Sequence, residues 1–449
     1  MTDSFHSPST GIFSCPVARS PLHHALSLPG SKSLTNRELV LASLAVSPST
    51  LHAPLHARDT SLMVAALHAV GADISEVAGS AEFGPDLAIT PLRFDDSTDV
   101  SAIVVDCGLA GTVMRFVPPV ALLQPRPVRF VGDPQAEKRP MGPIIDALKQ
   151  LGHPVDDDGR GTLPFTLTPQ TMSTTTRPRV TIDASGSSQF VSGLLLAAPR
   201  FPAGLTIEHT GKSLPSLPHI DMTIDVLAQR GVVVERPEHH VFDVAPQNIL
   251  ASPVVIEPDL SNAAPFMAAA VIAGGSVTVL GWPDQTTQVG RLVPELLEHF
   301  GATITRTATT VTATAQGISA RPLPGVTLDL HDAGELAPTF ISLSVFSDSP
   351  STFSGIGHLR GHETDRIAAL VANIRAIGGV AKETPDGITV TPAPLRGGVW
   401  KAWGDHRMAT SGALIGLGQE GVTVDDIGQT SKTLPEFVSL WQKMLGLSA

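Results

Sequence analysis

Five times along the chain an amphipathic helical run ends at a glycine and gives way to a short β-rich run. The instances are LHAVGADI at Gly71, ALKQLGHPV at Gly152, VLAQRGVVV at Gly231, LLEHFGATI at Gly301 and IRAIGGVA at Gly378. Successive glycines lie 81, 79, 70 and 77 residues apart. Each is expected to end its helix in the left-handed conformation before the chain turns into a strand. A second pattern interleaves with the first: a helix of small apolar residues, a break, a strand and a polar loop. It reads LVLASLAVSPSTLHAP, VPPVALLQPRPVRFVGD, VSGLLLAAPRFPAGLTIEHTG, FMAAAVIAGGSVTVLG, TFISLSVFSDSPSTFSG and ATSGALIGLGQEGVTVDDIG. The Ala- and Gly-rich faces predict helices packed closely inside a domain. A fixed period of this kind marks a repeat architecture. The pattern therefore predicts an α/β protein of six similar units in two sets of three, with the midpoint near Ala251 to Asp259.

The bulk properties refine this picture. A length of 449 residues suggests two large domains, and 42% apolar residues suffice for two cores. A net charge of −12 argues against nucleic acid or an anionic membrane as the partner. It also makes any local cluster of cations informative. Two cysteines, Cys15 and Cys107, form no disulfide framework and fit a reducing compartment. The N-terminus has no basic start followed by an apolar run, and no apolar stretch reaches the roughly 20 residues of a membrane span. A cytoplasmic protein is expected.

The cations concentrate in Gly- and Ser-rich loops. PGSKSLTNR (Pro29 to Arg37) places Lys32, Ser33 and Arg37 at a helix start, where backbone amides favour an anion. CGLAGTVMR (Cys107 to Arg115) brings Gly111 and Arg115. GDPQAEKRPMG (Gly132 to Gly142) brings Lys138 and Arg139, and SGSSQF (Ser185 to Phe190) offers Ser187, Ser188 and Gln189. In the second half lie HDAGELAPT with Glu335, GHLRGHETDR with His358, His362, Glu363 and Arg366, WGDHRM with Asp405 and Arg407, and SKTLPE with Lys432. Arg and Lys in such numbers, with Asp59, Glu335, Glu363 and Asp405 beside them, suit a site for two small polyanions. A site drawing on both halves is expected to lie between domains. The His358 and His362 pair has helical metal-ligand spacing, but Gly361 between them speaks against a helix there and no metal is expected. TGKS (Thr210 to Ser213) lacks the upstream glycine of a phosphate loop, and Asp156 to Asp158 reads as a solvated loop.

In order and separation, PGSKSLTNR, GLAGTVMR, EKRPMG, GSSQF, HETDR, DHRM and SKTLPE resemble the EPSP synthases, from about Pro29 to Glu436. The resemblance implies two domains, each of three βαβαββ repeats around a pseudo-threefold axis: the inside-out α/β barrel of the enolpyruvyl transferase fold. One domain would comprise residues 1–28 plus 258–449 and the other 29–257. The implied reaction transfers the enolpyruvyl group of phosphoenolpyruvate to the 5-hydroxyl of shikimate 3-phosphate. It proceeds through a tetrahedral intermediate, in a monomer, without metal or organic cofactor. Lys32, Ser33, Arg37, Ser187, Ser188, Gln189, Ser216, Glu335 and His362 would hold shikimate 3-phosphate. Lys32, Gly111, Arg139, Gln189, Arg366, Arg407 and Lys432 would hold phosphoenolpyruvate. Glu335 would be the base, with Lys32 or Glu363 the acid. Gly111 implies sensitivity to glyphosate.

The chain departs from many such enzymes at Glu335 (Asp in many), His358 (Asn), His362 (Lys), His219 (often Tyr) and Phe116 (often Pro). The related transferase acting on UDP-N-acetylglucosamine is disfavoured: this chain has Lys32-Ser33 where that enzyme has Lys-Asn, and no Cys between Gly132 and Gly142. A non-catalytic six-repeat binding module would leave the acidic residues among the cations unexplained.

Overall fold

The structure, a computed structural model, describes residues 11–93, 101–211 and 217–447. The chain divides into a discontinuous unit, Met1–Leu28 with Pro258–Ala449, and a continuous unit, Pro29–Glu257.

The continuous unit holds three four-stranded sheets. Its middle repeat shows the plan. Strand Ile103–Asp106 leads into helix Gly111–Ala121 and strand Val128–Val131, which pairs parallel with the first strand. Helix Gly142–Gln150 follows, then the antiparallel pair Val155–Asp156 and Phe165–Leu167. The next repeat, from Arg179–Ile182 to Val241–Val244, has the same order. The first repeat is closed by a distant segment, because Val254–Val255 pairs parallel with Ser49–His52.

The discontinuous unit follows the same plan with two differences. Leu22–Leu26 pairs parallel with Gly275–Leu280, across some 250 residues of sequence. Its last sheet has three strands, Phe13–Ser14, Val422–Val424 and Gly398–Trp400, without the terminal hairpin of the others.

The five glycines expected to end helices do so in the left-handed region, with φ of 98° at Gly71, 88° at Gly152, 78° at Gly231, 86° at Gly301 and 88° at Gly378. In each repeat the helix with small residues is the buried one. Every residue of Gly111–Ala121 and of His406–Gly416 is buried, as is all of Leu260–Ala273 but its last residue. Small side chains make this packing possible. A Cβ on Gly193, in helix Gln189–Ala197, would stand 2.2 Å from the carbonyl oxygen of Arg115 in the neighbouring helix. Contact that close admits only glycine. Both cysteines are buried free thiols, and burial pushes each up to about 12.

The Asp156 to Asp158 run is not simply a solvated loop: Asp157 is 5% exposed, accepts from the amide of Gly161 at 2.8 Å and pairs with Lys149 at 3.2 Å. These contacts, the Gly161 amide first, hold its carboxyl below the usual range, so it pins the loop. Among the described residues no helix is long and apolar enough to cross a membrane.

Candidate active site

In the continuous unit the functional loops converge at the starts of the three buried helices, and polar side chains tie those starts together. Asn36, the fifth residue of helix Lys32–Leu44, donates to Thr112 Oγ1 at 2.7 Å, at the start of Gly111–Ala121. Arg115 reaches the carbonyl of Pro140 at 3.2 Å, and its guanidinium lies 5.5 Å from the Phe190 ring centroid. Arg37 is 1% exposed and donates to Ser33 O, Thr223 Oγ1 and His219 O at 2.8–2.9 Å. The unexpected Phe116 has a place here, because the Arg37 guanidinium lies 5.2 Å from its ring centroid. An aromatic face attracts a guanidinium and offsets part of the hydration it loses on burial.

Around this frame stand the candidate ligands. Lys32 lies 3.6 Å from the buried carboxylate of Asp59. Helix Lys32–Leu44 carries no acidic residue in its first turn, so its amide end stays open to an anion. Gly30 must be glycine: a Cβ there would lie 2.4 Å from the carbonyl oxygen of Ala53. Ser187 Oγ accepts from the Gln189 amide at 3.3 Å, and Ser188 at the N-cap is 4% exposed. Gly111, Arg139 and Gln189 form a tight group. A Cβ on Gly111 would meet Gln189 Oε1 at 3.1 Å and the two terminal nitrogens of Arg139 at 3.2 and 3.3 Å. Arg139 Nη1 donates to Leu109 O at 3.3 Å. Ser216 lies outside the described residues.

In the discontinuous unit seven residues form one continuous chain of contacts. The Ser261 hydroxyl donates to Glu335 Oε1 at 2.6 Å. The carbonyl of Ser261 accepts from Arg407 Nη1 at 2.9 Å, and the Arg407 amide donates to Asp405 Oδ1 at 2.8 Å. Asp405, fully buried, takes two bonds from Arg366, at 2.8 and 3.2 Å. Arg366 donates to Glu363 Oε2 at 3.2 Å, and Glu363 Oε1 accepts from Lys432 at 2.5 Å. Burial alone would lower the Arg366 pKa, but Asp405 and Glu363 outweigh it and push the pKa up. Three carboxylates, Glu335, Glu363 and Asp405, thus answer three cations, Arg366, Arg407 and Lys432.

His362 enters through its Nδ1, 3.2 Å from Arg366 Nη1. The same Nδ1 lies 4.0 Å from Glu363 Oε2, so the ring stands between a cation and a carboxylate. His358, whose ring centroid is 5.8 Å from that of His362, has its pKa lowered to about 4. Burial is the main cause, with His331 and Arg366 adding to it. The two histidines do not share an α-helical face, because Gly357–Gly361 is a 3-10 turn.

The sequence pattern of the family described as EPSP synthase (3-phosphoshikimate 1-carboxyvinyltransferase) matches residues 17–441. The chain belongs to the EPSP synthase family. A 3-phosphoshikimate 1-carboxyvinyltransferase of Kocuria rhizophila is 49% identical over 430 residues, 95% of either chain. One from Bifidobacterium longum is 45% identical over 450 residues, covering 97% of this chain and 98% of that one. Among solved structures, an EPSP synthase of Acinetobacter baumannii superposes with a TM-score of 0.77 at 22% identity, over 97% of this chain and 98% of that one. The enolpyruvyl transferase NikO of Streptomyces tendae gives 0.72 at 17% identity, with the same coverages. The expected fold class, repeated α/β units of the enolpyruvyl transferase kind, is borne out. So is the resemblance to EPSP synthases.

Within this EPSP synthase family chain, sequence reasoning missed Asn36, Thr223 and above all Ser261. Only one local signal was available for Ser261. Asp259 caps helix Leu260–Ala273, accepting from the Asn262 amide at 2.9 Å, as Asp405 caps the helix of Arg407. An Asp-led helix start among small residues marks the same end of the unit.

Proposed function

We propose that the cation sets of the two units serve one pair of substrates, with Glu335 as general base. The reaction is that of the family: the enolpyruvyl group of phosphoenolpyruvate passes to the 5-hydroxyl of shikimate 3-phosphate and phosphate leaves, a step in aromatic amino-acid biosynthesis. The observation that carries the site assignment is the unbroken chain from Glu335 through Ser261, Arg407, Asp405, Arg366 and Glu363 to Lys432. It supports reading Glu335 as a base beside cations suited to a phosphate and a carboxylate.

Glu335 takes the 5-hydroxyl proton as that oxygen attacks C2 of the enol. A second group gives a proton to the methylene carbon, producing a tetrahedral intermediate. Both Glu363 oxygens accept hydrogen bonds from cations, so Lys32, which carries donors only, is assigned as the acid. Return of the methyl proton to Lys32 and departure of phosphate, which carries off the proton taken by Glu335, regenerate the vinyl ether and the free base. Arg139, Arg366, Arg407 and Lys432 stabilise the leaving phosphate and fix the carboxylate. Lys32, Ser33, Arg37, Ser187, Ser188, Gln189, Ser216 and His362 hold shikimate 3-phosphate, Arg37 through its grip on the Ser33 carbonyl. Gln189 stands beside Gly111 and so serves both substrates. The enzyme acts as a cytoplasmic monomer.

Phosphate release from phosphoenolpyruvate tests the reading, with shikimate 3-phosphate and UDP-N-acetylglucosamine as alternative acceptors. Release is expected with shikimate 3-phosphate alone. Release only with the nucleotide sugar would assign the chain to the other transferase, and silence with both would overturn the site assignment.

A further inference from the structure

Among the buried polar groups that the reaction scheme leaves without a task is the Ser261 hydroxyl. Ser261 is 6% exposed and sits in the first turn of helix Leu260–Ala273. Its position is fixed from several sides. Asp259 caps the helix beneath it. The amide of the preceding Leu260 donates to Gln288 Oε1 at 3.1 Å. Gly290 packs so closely that a Cβ there would stand 2.3 Å from Leu260 C and 2.5 Å from the Ser261 amide nitrogen. Glu335 lies in the one-turn 3-10 segment Gly334–Leu336 and is only half-buried. The terminal torsion of a glutamate is broad, so nothing in the side chain itself sets the plane of its carboxyl.

We infer that Ser261 is a positioning residue for the base: its hydroxyl fixes the plane of the Glu335 carboxylate and favours its ionised, proton-accepting form. The inference rests on Glu335 being the base. A hydroxyl donating to a carboxylate stabilises the anion over the acid. Once Glu335 has taken a proton, the same hydroxyl rotates and accepts, so the contact survives both states. The backbone of Ser261 does separate work, since its carbonyl holds Arg407. Removing the hydroxyl therefore affects the base and leaves the Arg407 contact in place.

Ser261→Ala, Ser261→Thr, Glu335→Gln and the double variant Ser261→Ala/Glu335→Gln would be compared by phosphate release across pH. A hydrogen bond to a charged group supports an effect of about tenfold. Ser261→Ala is expected to lower kcat about tenfold and leave KM for phosphoenolpyruvate within about twofold. The acid limb of its pH profile should move up by about one pH unit. Ser261→Thr, which keeps the hydroxyl, should recover most of the rate. In the Glu335→Gln background the alanine should cost nothing further. An unshifted acid limb, a parallel rise in KM, or a full additional loss in the double variant would overturn the role of Ser261. Near-normal turnover by Glu335→Gln itself would instead remove Glu335 as the base, a separate outcome read from a separate variant.

Discussion

Gly111→Ala tests the proposed phosphoenolpyruvate site with the smallest possible change. Gly111 opens helix Gly111–Ala121, and its φ lies outside the left-handed region, so alanine meets no backbone strain. Alanine is the better helix former. Its whole effect is therefore spatial: the new Cβ would stand 3.1 Å from Gln189 Oε1 and 3.2 and 3.3 Å from the Arg139 terminal nitrogens. Comfortable contacts begin at about 3.5 Å, so both side chains must retreat by a few tenths of an ångström. Arg139 has little slack, because its Nη1 already holds Leu109 O at 3.3 Å. Overpacking of this kind costs about 1–3 kcal/mol, or roughly 5- to 150-fold in affinity. Phosphoenolpyruvate should bear the lower end, with KM up about tenfold and kcat within a few-fold. Glyphosate separates its carboxylate from its phosphorus by one atom more, and that extra length must fit where the methyl intrudes. Its inhibition constant should rise about 100-fold. Steady-state phosphate release, with glyphosate competed against phosphoenolpyruvate, measures both. An unchanged ratio of inhibition constant to KM would refute the reasoning, because the methyl would then not project toward the ligand.

Other substitutions probe the charged frame. Asp405→Asn keeps an N-cap for the helix of Arg407 but leaves Arg366 with Glu363 as its remaining carboxylate partner in the contact chain. It should cost about 3–5 kcal/mol in urea unfolding and raise KM for phosphoenolpyruvate, whereas a loss below about 1 kcal/mol would show that Glu363 suffices. In the continuous unit Arg230 and Glu38 form a buried pair at 2.6 Å, and burial pushes the Glu38 carboxyl up despite its partner. Arg230→Met should destabilise by about 3 kcal/mol, and Glu38→Leu added to it should recover most of that; a double variant as unstable as the single would contradict the charge argument. His358, lowered from 6.5 to about 4, stays neutral in the fold while the unfolded chain binds a proton. Stability should thus fall as pH drops from 6.5 toward 4 and level off below, by at most about 3 kcal/mol. His331 and Arg366 oppose its charge and Asp386 favours it. Urea midpoints of wild type and His358→Gln should diverge over that window, and parallel curves would remove His358 as the cause.

Local signals carried much of this protein. The glycines at 71, 152, 231, 301 and 378 could be read because a helix end in the left-handed region imposes a residue type at one position. The helices of small residues could be read as buried for a similar reason, since close packing restricts composition along a whole helix. The cation-bearing loops were legible because Lys and Arg beside glycine at helix starts have a shared chemical purpose in an acidic chain. The ordered motifs then pointed to the EPSP synthase family.

The tertiary structure decided what depends on partners far apart in sequence. Nothing near Val254 announces that it closes the sheet of Ser49–His52, nor does Leu22 announce Gly275–Leu280. Phe116 looked like a departure from pattern until it met the Arg37 guanidinium, and Asp157 looked solvated until it met the Gly161 amide and Lys149. Ser261 is one serine among many in the sequence. Only the fold sets its hydroxyl against Glu335, 74 residues away, and its carbonyl against Arg407, 146 residues away. Backbone preferences and composition act residue by residue and leave their mark on the sequence. The hydrogen bonds and ion pairs that tune a site join side chains whose neighbours are chosen by packing.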